Sequence, residues 1–308
     1  MQRLAKLREN ITSVFMGNQS AVDKVIVCLL ARGHVLIEDV PGVGKTVLAQ
    51  SLARSLDCNF ARLQMTPDML PADVIGVTVW SQEQEQFLFK PGPVFCNVLL
   101  ADEINRTTPR TQSALLEAMN EQQVSIDGQT HPLEPPFMVV ATQNPFEFEG
   151  TYFLPESQLD RFLMRINLGY PSPEDESRIL QQQPSRTVLS HLQTVMSRQD
   201  ILEFQQKVNE VKMDAVLGEY IIRLAAATRD NDQLQVGVSP RGTLALAQAA
   251  RATALVDGRD YVVPEDIINN VVHVCAHRVV ARSYMHDGSP VSTARIMQQV
   301  IESVPSPA

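Results

Sequence analysis

Residues 39–46 read Asp39-Val40-Pro41-Gly42-Val43-Gly44-Lys45-Thr46. Glycines let backbone N–H groups turn toward a phosphate, a lysine reaches the β and γ oxygens, and a hydroxyl holds Mg²⁺. Gly42, Gly44, Lys45 and Thr46 supply those parts, and Pro41, Val43 and Val47 complete the loop that would hold ATP. An apolar strand before the loop and a helix after it are the required context. The full pattern begins with glycine where this chain has Asp39. Aspartate tolerates glycine-like turn conformations better than most residues, so the loop is still expected to form.

Four further segments could act on a phosphate held there. Val98-Leu99-Leu100-Ala101-Asp102-Glu103 is an apolar strand ending in two acids, which puts both at the carboxyl edge of a sheet. Asp102 can hold Mg²⁺ together with Thr46, and Glu103 can polarise the attacking water. Taken alone, the pair is a weaker signal, since Asp-Glu after a strand is often a solvated loop or a helix start; after a phosphate loop it becomes strong. Asn144, at the tip of the strand Phe137–Thr142, could bind the same water, although Asn144-Pro145 also suits a plain turn. In Leu159-Asp160-Arg161-Phe162, spacing alone reads Arg161 as a surface arginine paired with Asp160. In Gly237-Val238-Ser239-Pro240-Arg241-Gly242, Ser239 caps a helix that has Pro240 as its first residue, and Arg241 lies at its start.

Strands alternating with helices must position these groups. His34–Ile37, Asn97–Ala101 and Phe137–Thr142 are apolar runs of the kind buried in a parallel sheet. Leu4, Leu7, Ile11 and Val14 have helical spacing, Gly17 breaks that helix, and a second runs from about Ser20 to Ala31. Two hairpins interrupt the core. One pairs residues 76–80 with 87–90, and the other turns at Asp127-Gly128. Tyr170-Pro171-Ser172-Pro173 is a linker, and beyond it the stripes Leu217/Ile221/Leu224 and Ile267/Val271/Val274/Cys275 are helical. The reading is an α/β core over residues 1–170 and an all-helical domain over 171–308.

The 308 residues carry a formal net charge of -9, which disfavours nonspecific binding to DNA or RNA. No apolar stretch reaches the ~18 residues of a membrane span, and the N-terminus lacks the apolar core of a signal peptide. Cys28, Cys58, Cys96 and Cys275 form no C-x-x-C pair and read as reduced thiols of a cytoplasmic protein. His273 and His277 are spaced i, i+4, but Cys275 projects from another face, so helix packing is preferred to a metal site. Gln64–Asp68 is read as the close of a strand and given no chemistry.

The order of these motifs resembles that of AAA+ ATPases, and more closely the MoxR family. The likeness rests on residues 38–46, 89–95, 102–106, 115–119, 141–145, 154–162 and 239–241, and spans roughly residues 10–280. It implies a P-loop core with a parallel sheet, a helix-2 insert and a pre-sensor-1 hairpin, followed by a helical lid. It also implies a ring, usually a hexamer, with ATP between subunits and Gly17 near the adenine. Asn144 would be sensor 1, Arg161 the arginine finger and Arg241 sensor 2, the last acting in cis or in trans. Members are chaperone-like ATPases that assemble or mature partner complexes, often alongside proteins with von Willebrand factor A domains. A nucleic-acid remodeller and a metal-chelatase motor subunit are the alternatives within the same branch. Only His131 offers a potential cation near the tip of its hairpin, which weighs against the first.

Overall fold

A computed structural model describes residues 2–145, 150–182, 192–282 and 292–307. The apolar runs form one five-stranded sheet of β1 (Val35–Glu38), β3 (Phe60–Gln64), β6 (Val98–Asp102), β9 (Met138–Gln143) and β10 (Met164–Ile166), in the order β10-β1-β9-β6-β3. Every pairing is parallel. The registers Glu38 with Gln143 and Gln64 with Asp102 bring the carboxyl ends of four strands to a single edge. Ligands of open α/β sheets bind outside that edge.

Alternate side chains serve opposite faces of the sheet. Val35, Ile37, Leu100 and Val140 join a core beneath α1 (Gln2–Thr12), α2 (Gln19–Leu30) and α3 (Lys45–Ser55). Leu36, Leu99, Ala101 and Val139 join a second core beneath α4 (Pro71–Ile75) and α5 (Pro109–Glu121). Both faces are covered, which is why the central strands read as unbroken apolar runs rather than alternating ones.

The two hairpins are β4/β5 (Gly76–Ser81 with Gln86–Pro91) and β7/β8 (Gln123–Ile126 with Gln129–Pro132). At the second turn Asp127 and Gly128 both have positive φ, 51° and 76°, as a two-residue turn matched to strand twist requires. Gly76 has φ 100°, and a Cβ there would lie 2.4 Å from the Lys90 carbonyl oxygen. The hairpins approach one another where Phe89 stacks on His131, ring centres 4.0 Å apart.

After the short α6 (Glu156–Leu159) and α7 (Pro173–Gln182), the chain forms α8 (Arg198–Glu210), α9 (Ala215–Arg229), α10 (Pro240–Val256), α11 (Pro264–Cys275) and α12 (Thr293–Ser303). The expected stripes on α9 and α11 are buried, and the core beneath α1–α3 runs on into these helices. The helical part also has strand pieces that the sequence reading lacked. β11 (Met196–Ser197) pairs with β2 (Leu56–Asp57), and β12 (Leu234–Val236) pairs with β13 (Val280–Ala281). These two- and three-residue ladders are too short to leave a period-2 signal. Among the described residues, no helix is long and apolar enough to cross a membrane.

Candidate functional site

The loop after β1 faces solvent, with Pro41 and Gly42 exposed and Val43 to Val47 half-buried. Gly42 and Gly44 have φ of 89° and 94°, values a side chain would strain. Gly44 is the N-cap of α3, so the first N–H groups of that helix, at Lys45, Thr46 and Val47, lack helical acceptors and sit at the positive end of its dipole. Phe15 lies against the loop from below. A Cβ on Gly44 or on Gly17 would come within 3.2 Å of its ring, so Phe15 joins the 14–17 segment to the phosphate loop.

Asp39 does not behave as a glycine substitute. It is absent from the positive-φ residues, and its carboxylate acts as a clamp instead. Oδ1 accepts the Val40 N–H at 2.8 Å, and Oδ2 accepts the Leu168 and Gly169 N–H groups, each at 2.7 Å. The base of the loop is thereby tied to the segment after β10. Lys45 donates to the Asp39 carbonyl at 2.7 Å. Burial pulls the Lys45 pKa down, while the charges of Asp39, Asp102 and Glu103 push it up. This ammonium therefore faces three carboxylates.

Asp102 and Glu103 end β6 beside that lysine. Asp102 accepts Arg62 Nη2 at 2.8 Å through Oδ2 and the Thr142 hydroxyl at 2.6 Å through Oδ1. Glu103 accepts Gln64 Nε2 at 2.7 Å and Arg106 Nη1 at 3.0 Å, and its backbone is left-handed, φ 58°. A non-glycine residue held in that region stores strain, and such residues cluster at functional sites. Thus Gln64, given no chemistry from sequence, holds the Glu103 carboxylate, and Arg62 two residues earlier on the same strand face holds Asp102. Their only sequence signal is the period-2 placement of two polar residues near the end of a strand. Asn144 follows β9 at the same edge, its carbonyl accepting Asn105 Nδ2 at 3.4 Å.

The donor set suits a magnesium nucleotide. The Thr46 hydroxyl and the Asp102 carboxylate are hard oxygen ligands of the kind Mg²⁺ takes, and each Asp102 oxygen keeps a second lone pair beyond its bond to Arg62 or Thr142. No group of three or more His, Cys, Asp or Glu that could hold a metal alone occurs among the described residues. His273 Nδ1 meets the Arg165 carbonyl at 3.3 Å and His277 Nε2 the Phe162 carbonyl at 3.0 Å, so both histidines pack the lid on the core.

Arg161, after α6, and Arg241, at the start of α10, gather elsewhere, against α5, which covers the sheet face opposite α3. Arg161 Nη1 donates to the Leu116 carbonyl at 2.6 Å, and Arg241 Nη2 to Asn120 Oδ1 at 2.8 Å. The ion pair that sequence suggests between Arg161 and Asp160 is replaced. Asp160 Oδ1 binds Arg278 Nε at 2.7 Å, and Oδ2 lies 3.8 Å from Arg241 Nε. Ser239 caps α10 as expected, accepting the Gly242 N–H at 3.2 Å.

Comparisons with known proteins agree with this fold. Residues 34–164 match the family described as "ATPase family associated with various cellular activities (AAA)", and residues 226–300 match an AAA lid domain. The chain is 47% identical over 277 residues to the uncharacterised protein YeaC of Bacillus subtilis, covering 90% of this chain and 87% of that one. It is 42% identical over 306 residues to Chaperone MoxR1 of Mycobacterium tuberculosis, covering 96% and 80%. The crystal structure of a candidate ATPase from Cytophaga hutchinsonii superposes with a TM-score of 0.91 at 37% identity, covering 100% and 96%. With a parallel P-loop sheet, an AAA lid and a named relative at this identity over nearly its full length, the chain belongs to the MoxR family of AAA+ ATPases.

Proposed function

We propose that the protein hydrolyses Mg²⁺-ATP between the subunits of a ring, usually a hexamer, and uses that cycle to assemble, mature or remodel partner protein complexes. The observation that carries the reading is the meeting of Lys45, Asp102 and Glu103 at one sheet edge while Arg161 and Arg241 both bond to α5. In this reading residues 1–170 are the ATPase core and 171–308 the lid.

ATP is held by the loop 41–47 and Lys45, with Gly17 beside the adenine. Thr46 and Asp102 hold Mg²⁺, which when bound supplies neutralising charge to the phosphates. Glu103 accepts the proton of the attacking water, and Asn144 orients that water. Arg161 and Arg241 stabilise the charge that develops on a neighbour's γ-phosphate. Their shared anchoring to α5, on the sheet face opposite the phosphate-loop helix α3, supports action in trans for both. The relative named as a chaperone supports the client-directed role, with von Willebrand factor A domain proteins as the partner class and the cytoplasm as the compartment.

Glu103→Gln tests the reading. It should bind ATP like wild type and lose about 10²–10⁴ in phosphate release, because the amide cannot accept the proton. Chelating Mg²⁺ should silence the wild type, and light scattering should show mass rising with Mg²⁺-ATP. Turnover of Glu103→Gln within twofold of wild type would remove Glu103 as the base.

A further inference from the structure

Arg278 is 8% exposed, and its guanidinium is held by Asp160 and by backbone carbonyls of two segments. Besides Asp160 Oδ1, it donates to the carbonyls of Asp160 at 3.3 Å, Phe162 at 2.7 Å and Leu163 at 3.1 Å, and to that of Val274. Three of those carbonyls flank or lie in the segment that carries Arg161. The same side chain reaches the start of α10. A Cβ added to Gly242 would stand 3.2 Å from Arg278 Cδ, and Gly242 follows Arg241 directly. Asp160 completes the bridge, taking Arg278 on one oxygen and facing Arg241 with the other. Burial lowers the Arg278 pKa, and the Asp160 carboxylate opposes that.

We infer that the Arg278–Asp160 pair is a positioning device that sets Arg161 of the core and Arg241 of the lid at a fixed spacing, so that both meet the neighbouring subunit's nucleotide together. The inference rests on the proposal that these two arginines act in trans. Arg278 is buried and touches no nucleotide; it acts through the backbone of residues 160–163 and through Asp160. Leu116 and Asn120, the partners of Arg161 and Arg241, are four residues apart on α5, so the guanidinium contacts are about 6 Å apart along the helix. A spacing kept by a single buried guanidinium ties the lid angle to the finger: a lid that swings must carry Arg241 away from Arg161 or break the Asp160 contact.

The test is Asp160→Asn, which keeps size while removing the charge that both arginines share. Its own phosphate loop is untouched, so nucleotide affinity should stay within about twofold. Phosphate release should fall at least about tenfold, since small misplacements of catalytic groups are costly. Mixing this variant with Lys45→Ala should recover activity, because an intact finger from the second subunit then faces an intact loop on the first. A folding defect that reached the variant's own phosphate loop would not be repaired that way. Arg278→Lys should show the same pattern in milder form; should it fail to fold, Asp160→Asn carries the test alone. Wild-type turnover in Asp160→Asn would overturn the inference. So would an impaired Asp160→Asn that Lys45→Ala does not restore while a control mixture of Arg161→Ala with Lys45→Ala is active. A silent control under proven subunit exchange would instead remove action in trans, and the inference with it.

Discussion

Asp102 accepts the Thr142 hydroxyl at 2.6 Å, and that same hydroxyl accepts the backbone N–H of Glu103 at 2.9 Å. A single fully buried threonine on β9 therefore fixes Asp102, proposed to hold Mg²⁺, and the backbone of Glu103, the proposed base, at once. Thr142→Val keeps the shape and removes the hydroxyl, leaving an N–H and a carboxylate oxygen short of a partner. Orphaned buried groups cost about 1–3 kcal/mol, so phosphate release should fall by roughly 10–100-fold. ATP affinity should change little, and Thr142→Ser should keep most of the rate. Unchanged turnover in Thr142→Val would show that the threonine does not set the acids.

Asp39 stands where the usual phosphate loop has glycine, and its carboxylate satisfies three backbone N–H groups. Asp39→Gly restores the common pattern yet should harm this protein. Losing those acceptors costs about 1–3 kcal/mol for each buried group left unpaired, and for a chain of this size each kcal/mol lowers Tm by roughly 2–4 °C. Calorimetry should show a drop of at least a few degrees, with weaker ATP binding. Equal Tm and equal affinity would mean the clamp is idle.

Much of this was legible in the sequence because it is local. Unbroken apolar runs mark strands buried on both faces, Asp127-Gly128 marks a hairpin, and Ser239-Pro240 marks a helix start. Each depends on neighbours within a few residues. What stayed hidden depends on strand order and on distant partners. Arg62 and Gln64 reach Asp102 and Glu103 only because β3 lies beside β6 in the register Gln64 to Asp102. Arg278 meets Asp160 across 118 positions. Asp39 was expected to stand in for glycine by turn conformation, but its partners lie 129 and 130 residues away.

His34 is buried between β9 and α5, its Nδ1 accepting the Val139 N–H at 2.9 Å and its Nε2 donating to the Met119 carbonyl at 3.1 Å. Burial lowers its pKa from 6.5 to about 4. The folded value lies below the unfolded one, so the unfolded chain binds more protons between those pH values. Stability is then full above pH 6.5 and falls as pH drops toward 4, by about 3 kcal/mol from this group. Burial pushes His273 and His277 the same way. Urea midpoints should be lower at pH 5 than at pH 7, and His34→Gln should narrow that gap. An identical gap in the variant would assign the pH dependence to other groups.

The central claim is a nucleotide site completed by a neighbour, and one measurement addresses it most directly. Arg161→Ala keeps an intact phosphate loop, and Lys45→Ala keeps the proposed finger but loses the cation proposed to meet the β and γ phosphates. Each alone should be inactive, the first still binding ATP and the second not. Steady-state phosphate release is then followed across mixing ratios, with subunit exchange verified by fluorescence. Mixed interfaces pair the loop of one variant with the finger of the other, so activity should peak at intermediate ratios. Wild-type hydrolysis by Arg161→Ala alone, or a mixture that stays inactive despite proven exchange, would contradict the account.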